Sequence, residues 1–152
     1  MAAQLLKPFL LKHGNNVRLT FHNFPLDGSC NPYAPHGAHQ VACPFAKASL
    51  CASKQNKFWE FHDQVYDRQD EGLNLGMIDE IAGQVGIDKD AFQTCLKDPA
   101  TEMQLQKDMQ LGEVVALEST PTLIINGHKL AGARTPAELE ELLYSIEKQT
   151  KH

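Results

Sequence analysis

The chain has 152 residues, the length of one domain able to bury a core of its own. It is 42% apolar and 22% charged, with a net charge of -5 spread along the sequence, which is ordinary for a globular protein and offers no basic stripe to nucleic acid. Uninterrupted apolar runs such as Phe9 to Leu11 and Leu123 to Ile125 fall far short of the roughly 20 residues needed to cross a bilayer, so the chain reads as soluble.

Residues 2–13 place Leu5, Leu6, Phe9, Leu10 and Leu11 among Lys7 and Lys12. This is the pattern of an amphipathic helix rather than of a signal peptide, which wants a charged start, a longer apolar run and a small-residue cleavage site. The helix is expected to kink at Pro8 and to end at Gly14 in a left-handed conformation. Val17 to Phe24 then sets Val17, Leu19 and Phe21 against Arg18, Thr20 and His22, a period-two strand stopped by Pro25. Gly, Ser, Asn and Pro make a loop of residues 27–35. A long helix is expected over about 36–68, with interruptions near Pro44 and Lys54 and a core stripe of Phe58, Phe61 and Val65.

Two short helices follow over 74–85 and 88–96, the second capped by Asp88. Beyond Pro99, residues 100–117 carry Met103, Leu105, Met109, Leu111, Val114 and Val115 at helical spacing, interrupted by Gly112. Thr122 to Gly132 reads as strand, Asn-Gly turn and strand, because that dipeptide suits the two positive-φ positions of a tight hairpin. Thr135-Pro136-Ala137-Glu138 opens a final helix that runs to about Lys148. Three strands split by a block of helices leave few ladder partners, so something is missing from the sheet or supplied to it.

Six segments taken in order resemble the DsbA-like branch of the thioredoxin superfamily, including the domains fused to vitamin K epoxide reductase homologues. They are Val17 to Asp27, Cys30-Asn31-Pro32, Ala42 to Ala52, Gln55 to Asp63, Ala91 to Leu96 and Ser119 to Gly127. The resemblance implies an α/β thioredoxin-like fold over residues 1–152, a single domain with a helical insertion at about 36–117 and with its first strand missing. In that family a strand and a Cys-x-x-Cys dithiol precede the first helix. The dithiol works because a helix N-terminus lowers the pKa of the attacking thiol while the second thiol resolves the mixed disulfide.

Neither the strand nor the dithiol is found here, so no catalytic residue is assigned and the chain is expected to be a truncated form, inactive as it stands. A choice of boundaries or a mis-assigned start codon would explain this. The rival reading is a non-catalytic module that holds extended peptides. The missing strand would be the central one, between 17–24 and 122–126, and each buried unpaired backbone group left behind costs about 1–3 kcal/mol. Either the flanking strands close on each other, or chains associate through exposed strand edges as a homo-oligomer.

The resemblance further implies a cis peptide at Thr120–Pro121 in a loop that contacts extended substrate. A trans proline opening a strand is the plainer alternative. It also implies structural disulfides pairing Cys30 with Cys43 and Cys51 with Cys95, against four reduced core thiols as the alternative. Disulfides would point to an oxidising compartment, the bacterial periplasm by family. The implied partners are unfolded or cysteine-containing proteins and a membrane redox protein, with no bound cofactor. A zinc site from His36, His39, Cys43 and Cys30 is conceivable, but the same cysteines serve better as a bridge, so no metal ligand is assigned. Trp59, His62 and Tyr66 share a helix face and are expected to pack on a neighbouring helix, and His22 is read as a surface histidine on its strand's polar face.

Overall fold

The computed structural model describes residues 2–14, 16–34, 36 and 39–149. The chain divides into two compact units, one running from His22 to Ala116 and the other combining the residues up to Phe21 with those from Leu117 onward.

The first of these is helical. Its centre is α2 (Ala42–Ser53), which packs against α3 (Phe58–Asp67), α4 (Gly76–Gln84), α5 (Lys89–Lys97) and α6 (Pro99–Val114). One helix can touch four others here because its sequence is rich in small residues: Ala46, Ala48, Ser49 and Ala52 are all buried and let the neighbouring backbones come close. The larger cluster around α2 gathers Phe45, Phe61, Ile81 and Phe92, with Val65 packed at its margin. A smaller one joins Ala46, Leu105 and Met109, with Phe24 and Leu50 against it.

The helix expected over 36–68 is two helices, and the first begins only at Ala42. Pro35, Gly37 and Ala38, at the expected loop-to-helix junction, lie outside the described residues. Pro44 falls in the first turn of α2, where a missing N–H does no harm, so it does not interrupt the helix. The break comes at 54–57, where Asn56 adopts φ 58° and the Lys57 N–H returns to the Ala52 carbonyl at 2.9 Å. Asp88 accepts the Ala91 N–H at 2.8 Å and Asp98 accepts the Ala100 N–H at 2.8 Å, so each of α5 and α6 starts on an aspartate cap.

Gly112 does not interrupt α6, which continues to Val114. Its Cα lies under the Phe24 ring, where a Cβ would collide with the aromatic carbons. The aromatic row on α3 also departs from expectation. His62 is buried against Tyr66, with ring centroids 4.5 Å apart, but Trp59 and Tyr66 are 41% and 43% exposed rather than covered by a neighbouring helix.

The other unit holds α1 (Ala2–His13), the hairpin β1 (Thr122–Ile125) and β2 (His128–Ala131), and α7 (Pro136–Gln149). α1 runs through Pro8 and packs on α7, with Phe9, Leu139 and Ile146 buried. Lys12 Nζ sits 2.7 Å from Glu140 Oε1, and His13 Nε2 is 3.2 Å from the same oxygen. Gly14 is not left-handed as expected; a Cβ there would strike the Leu10 carbonyl oxygen, so close approach is what requires glycine. α7 begins with a capping box: Thr135 N–H donates to Glu138 Oε2 at 2.7 Å, and Glu138 N–H donates to Thr135 Oγ1 at 3.3 Å.

The strand expected over 17–24 does not form. Val17 to Phe24 has no ladder among the described residues, and the sheet there is β1 with β2 alone. Nor do 17–24 and 122–126 close on each other within the chain. A pleated strand is defined by its partner's hydrogen bonds, and alternation in the sequence cannot provide them.

Candidate functional site

The hairpin is set by its turn. Asn126 and Gly127 take φ 48° and 87°, the two positive values a tight primed turn requires, and fix the register as Ile125 with His128 through Thr122 with Ala131. The peptide bond entering β1, Thr120–Pro121, is cis, and both residues are exposed. Gly132 N–H donates to the Pro121 carbonyl at 2.8 Å, which extends the pairing one step beyond Thr122, and Thr122 Oγ1 donates to the Ser119 carbonyl at 2.6 Å.

Bonded and non-bonded positions alternate along an antiparallel pair. Because Pro121 and Gly132 form a bonded position, Leu123 and Ile125 also direct their N–H and C=O groups at β2, while Thr122 and Ile124 direct theirs to the opposite edge. Among the described residues no strand occupies that edge. The loop thus presents an exposed cis-proline followed by outward-facing main-chain groups, a surface able to pair with extended chain.

The four cysteines lie in the helical unit and are all bridged. Cys30 joins Cys43 at the start of α2, and Cys51 joins Cys95 between α2 and α5. Neither bridge has Cys-x-x-Cys spacing, being 13 and 44 residues apart in sequence. With Cys30 and Cys43 joined, the thiolates of a zinc site with His36 and His39 are not available.

Two polar constellations in the helical unit escape the sequence patterns. The Asp108 carboxylate is buried on α6 and accepts the Asn23 N–H at 3.1 Å and the Asn23 side-chain amide at 3.3 Å. His22 Nδ1 lies 3.1 Å from its other oxygen. The signal was an acid sitting in the apolar stripe between Leu105 and Met109. Asp27, also buried, accepts the Ser29 N–H at 3.0 Å and the Cys43 N–H at 3.3 Å. Burial pushes its carboxyl up, but the hydrogen bonds from Ser29 and Cys43 together hold it below its ordinary value. Here the signal was the turn sequence Asp27-Gly28-Ser29.

Residues 4–145 match a family model described as thioredoxin. The chain is 30% identical over 137 residues to a Na(+)/H(+) antiporter NhaA 3 of Salinispora tropica, covering 90% of this chain and 19% of that protein. It is 28% identical over 120 residues to the antiporter NhaA of Herminiimonas arsenicoxydans, covering 79% of this chain and 18% of that protein. It is 22% identical over 121 residues to the disulfide bond formation protein D of Bacillus subtilis, covering 76% of this chain and 53% of that protein. The chain therefore spans about a fifth of the antiporter relatives and about half of the disulfide bond formation protein. No solved structure matches it. With a thioredoxin match running from α1 to α7, and helices together with one two-stranded antiparallel sheet among the described residues, the chain belongs to the thioredoxin family.

Proposed function

We propose that these residues are the substrate-holding part of a DsbA-like thiol–disulfide oxidoreductase and that they bind extended, cysteine-containing polypeptide beside β1. The observation that carries this reading is the exposed Thr120–Pro121 loop leading into a strand whose Thr122 and Ile124 backbone groups face an edge with no strand on it among the described residues. A peptide laid along that edge gains main-chain hydrogen bonds whatever its side chains, which suits an enzyme class that handles many unfolded proteins. The similarity to a disulfide bond formation protein supports the same reading.

Exchange by the family's route needs a Cys-x-x-Cys at a helix N-terminus, and the 152 residues contain none. The chemistry then depends on a dithiol brought from outside these residues, and by themselves they are a peptide-binding module. On this reading the helical unit is an insertion into one thioredoxin-like domain, the bridged cysteines belong to an oxidising extracytoplasmic compartment, and a membrane redox protein is the electron partner. The open edge of β1 is also the surface through which two copies would associate.

The test is a titration of the ¹⁵N-labelled chain with an unstructured peptide containing one cysteine. Shift changes clustered on residues 119–125 are expected, and Thr122→Pro, which removes one outward N–H without touching the ladder to β2, should weaken binding by about tenfold. Shifts scattered over the helical unit, or an unchanged affinity in Thr122→Pro, would reject this site.

A further inference from the structure

The two bridges sit in opposite environments. Cys51 and Cys95 are both buried within the larger core cluster, and Thr101 Oγ1 lies 3.9 and 3.4 Å from their sulfurs. A thiolate reaching either sulfur must enter the core, which requires the helices to part. The Cys30–Cys43 bridge is asymmetric. Cys43 is 4% exposed, whereas Cys30 is partly buried, packed against the smaller core cluster and next to the fully buried Asn31, on a turn whose Gly28, Ser29, Pro32 and Tyr33 are exposed.

The turn is also fastened independently of the bridge. Asp27 holds the Ser29 and Cys43 N–H groups, the Asn31 side-chain amide donates to the Pro25 carbonyl at 2.8 Å, and His39 N–H donates to the Leu26 carbonyl at 3.2 Å. Opening the bridge leaves these bonds in place, so the two sulfurs stay within reach of each other.

We propose that Cys30–Cys43 is a reducible bridge, a redox site that accepts two electrons from a dithiol, protein-borne or small, while Cys51–Cys95 remains closed. A thiolate of the reductant attacks Sγ of Cys30, the less buried residue of the pair, and the bond to Cys43 breaks. Its electron pair leaves on Cys43 Sγ, which lies 3.5 Å from the donating Ser29 hydroxyl. That sulfur then takes a proton and as a thiol donates to the Asp27 carbonyl, also 3.5 Å away. The reductant's second thiol displaces Cys30 from the mixed disulfide. One dithiol becomes a disulfide, one disulfide becomes two thiols, and nothing else is consumed. This site uses none of the residues of the cis-proline loop and does not depend on the reading given to it above.

The experiment exposes the folded chain to dithiothreitol at neutral pH, alkylates samples with N-ethylmaleimide at intervals and maps the labelled cysteines by mass spectrometry. Cys30 and Cys43 are expected to label together, faster than Cys51 and Cys95 by about tenfold or more, with the difference vanishing in guanidinium. Glutathione, a monothiol, should leave its adduct on Cys30. Equal labelling of both pairs in the folded chain, or an adduct on Cys43, would overturn the proposal.

Discussion

Both units leave some apolar side chains exposed, but the helical unit buries much the larger core, and the hairpin unit leaves a strand edge open among the described residues. In the first, the stripes of α3, α4, α5 and α6 all converge on α2, and Phe61, Ile81, Phe92 and Leu105 are wholly or almost wholly buried. In the second, only Phe9, Leu139 and Ile146 reach that state among the described apolar side chains, and Ile124 on β1 remains 48% exposed. The two units differ because a helix satisfies its backbone internally and needs only a covering neighbour, while a strand needs partners for its backbone as well as its faces.

Four measurements would break or sharpen this contrast. Replacing Cys51 and Cys95 together by alanine should cost about 4 kcal/mol of stability in denaturant unfolding, since the bridge closes a long loop inside the core. A loss well under 1 kcal/mol would mean that the helices hold α2 and α5 together unaided. Leu139→Ala should cost about 3 kcal/mol, and amide exchange should rise first in α1, β1, β2 and α7. Uniform acceleration across α2 to α6 would show that the two units do not differ in local stability.

A third substitution, Gly112→Ala, should cost about 2 kcal/mol by forcing a methyl into the Phe24 ring, and pairing it with Phe24→Leu should recover part of the loss. The smallest effect concerns acid. Lys12 and then His13 hold the Glu140 carboxyl below its ordinary 4.5, so its contribution is present above that value and lost as pH falls through the lower folded value. Glu140→Gln should therefore flatten the acid side of the stability curve below about pH 4.5 while leaving the region above pH 6 parallel to the parent. Curves parallel throughout would remove the pair from the account of α1 on α7.

The peptide and alkylation experiments extend the contrast to function. One probes the edge that the hairpin unit leaves open, and the other the bridge that the helical unit leaves within reach of solvent.

What the sequence determined by itself was whatever depends on neighbours along the chain. Periodicity located α1, α4 to α6 and α7 to within a few residues, Asp88 and Thr135 marked two helix starts, and Asn126-Gly127 fixed the hairpin and its register. Each of these is a local backbone preference. The tertiary structure decided what depends on residues distant in sequence. Val17 to Phe24 alternates as a strand should, yet forms no ladder, because hydrogen bonds must come from another segment. Gly112 reads as a break until Phe24 is seen resting on it, and Asp108, an acid within the apolar stripe of α6, is satisfied by Asn23 and His22 only in the folded chain. The exposure that separates Cys30 from Cys51 is likewise a property of packing, since identical thiol chemistry becomes reachable or enclosed only when the chain is folded around it.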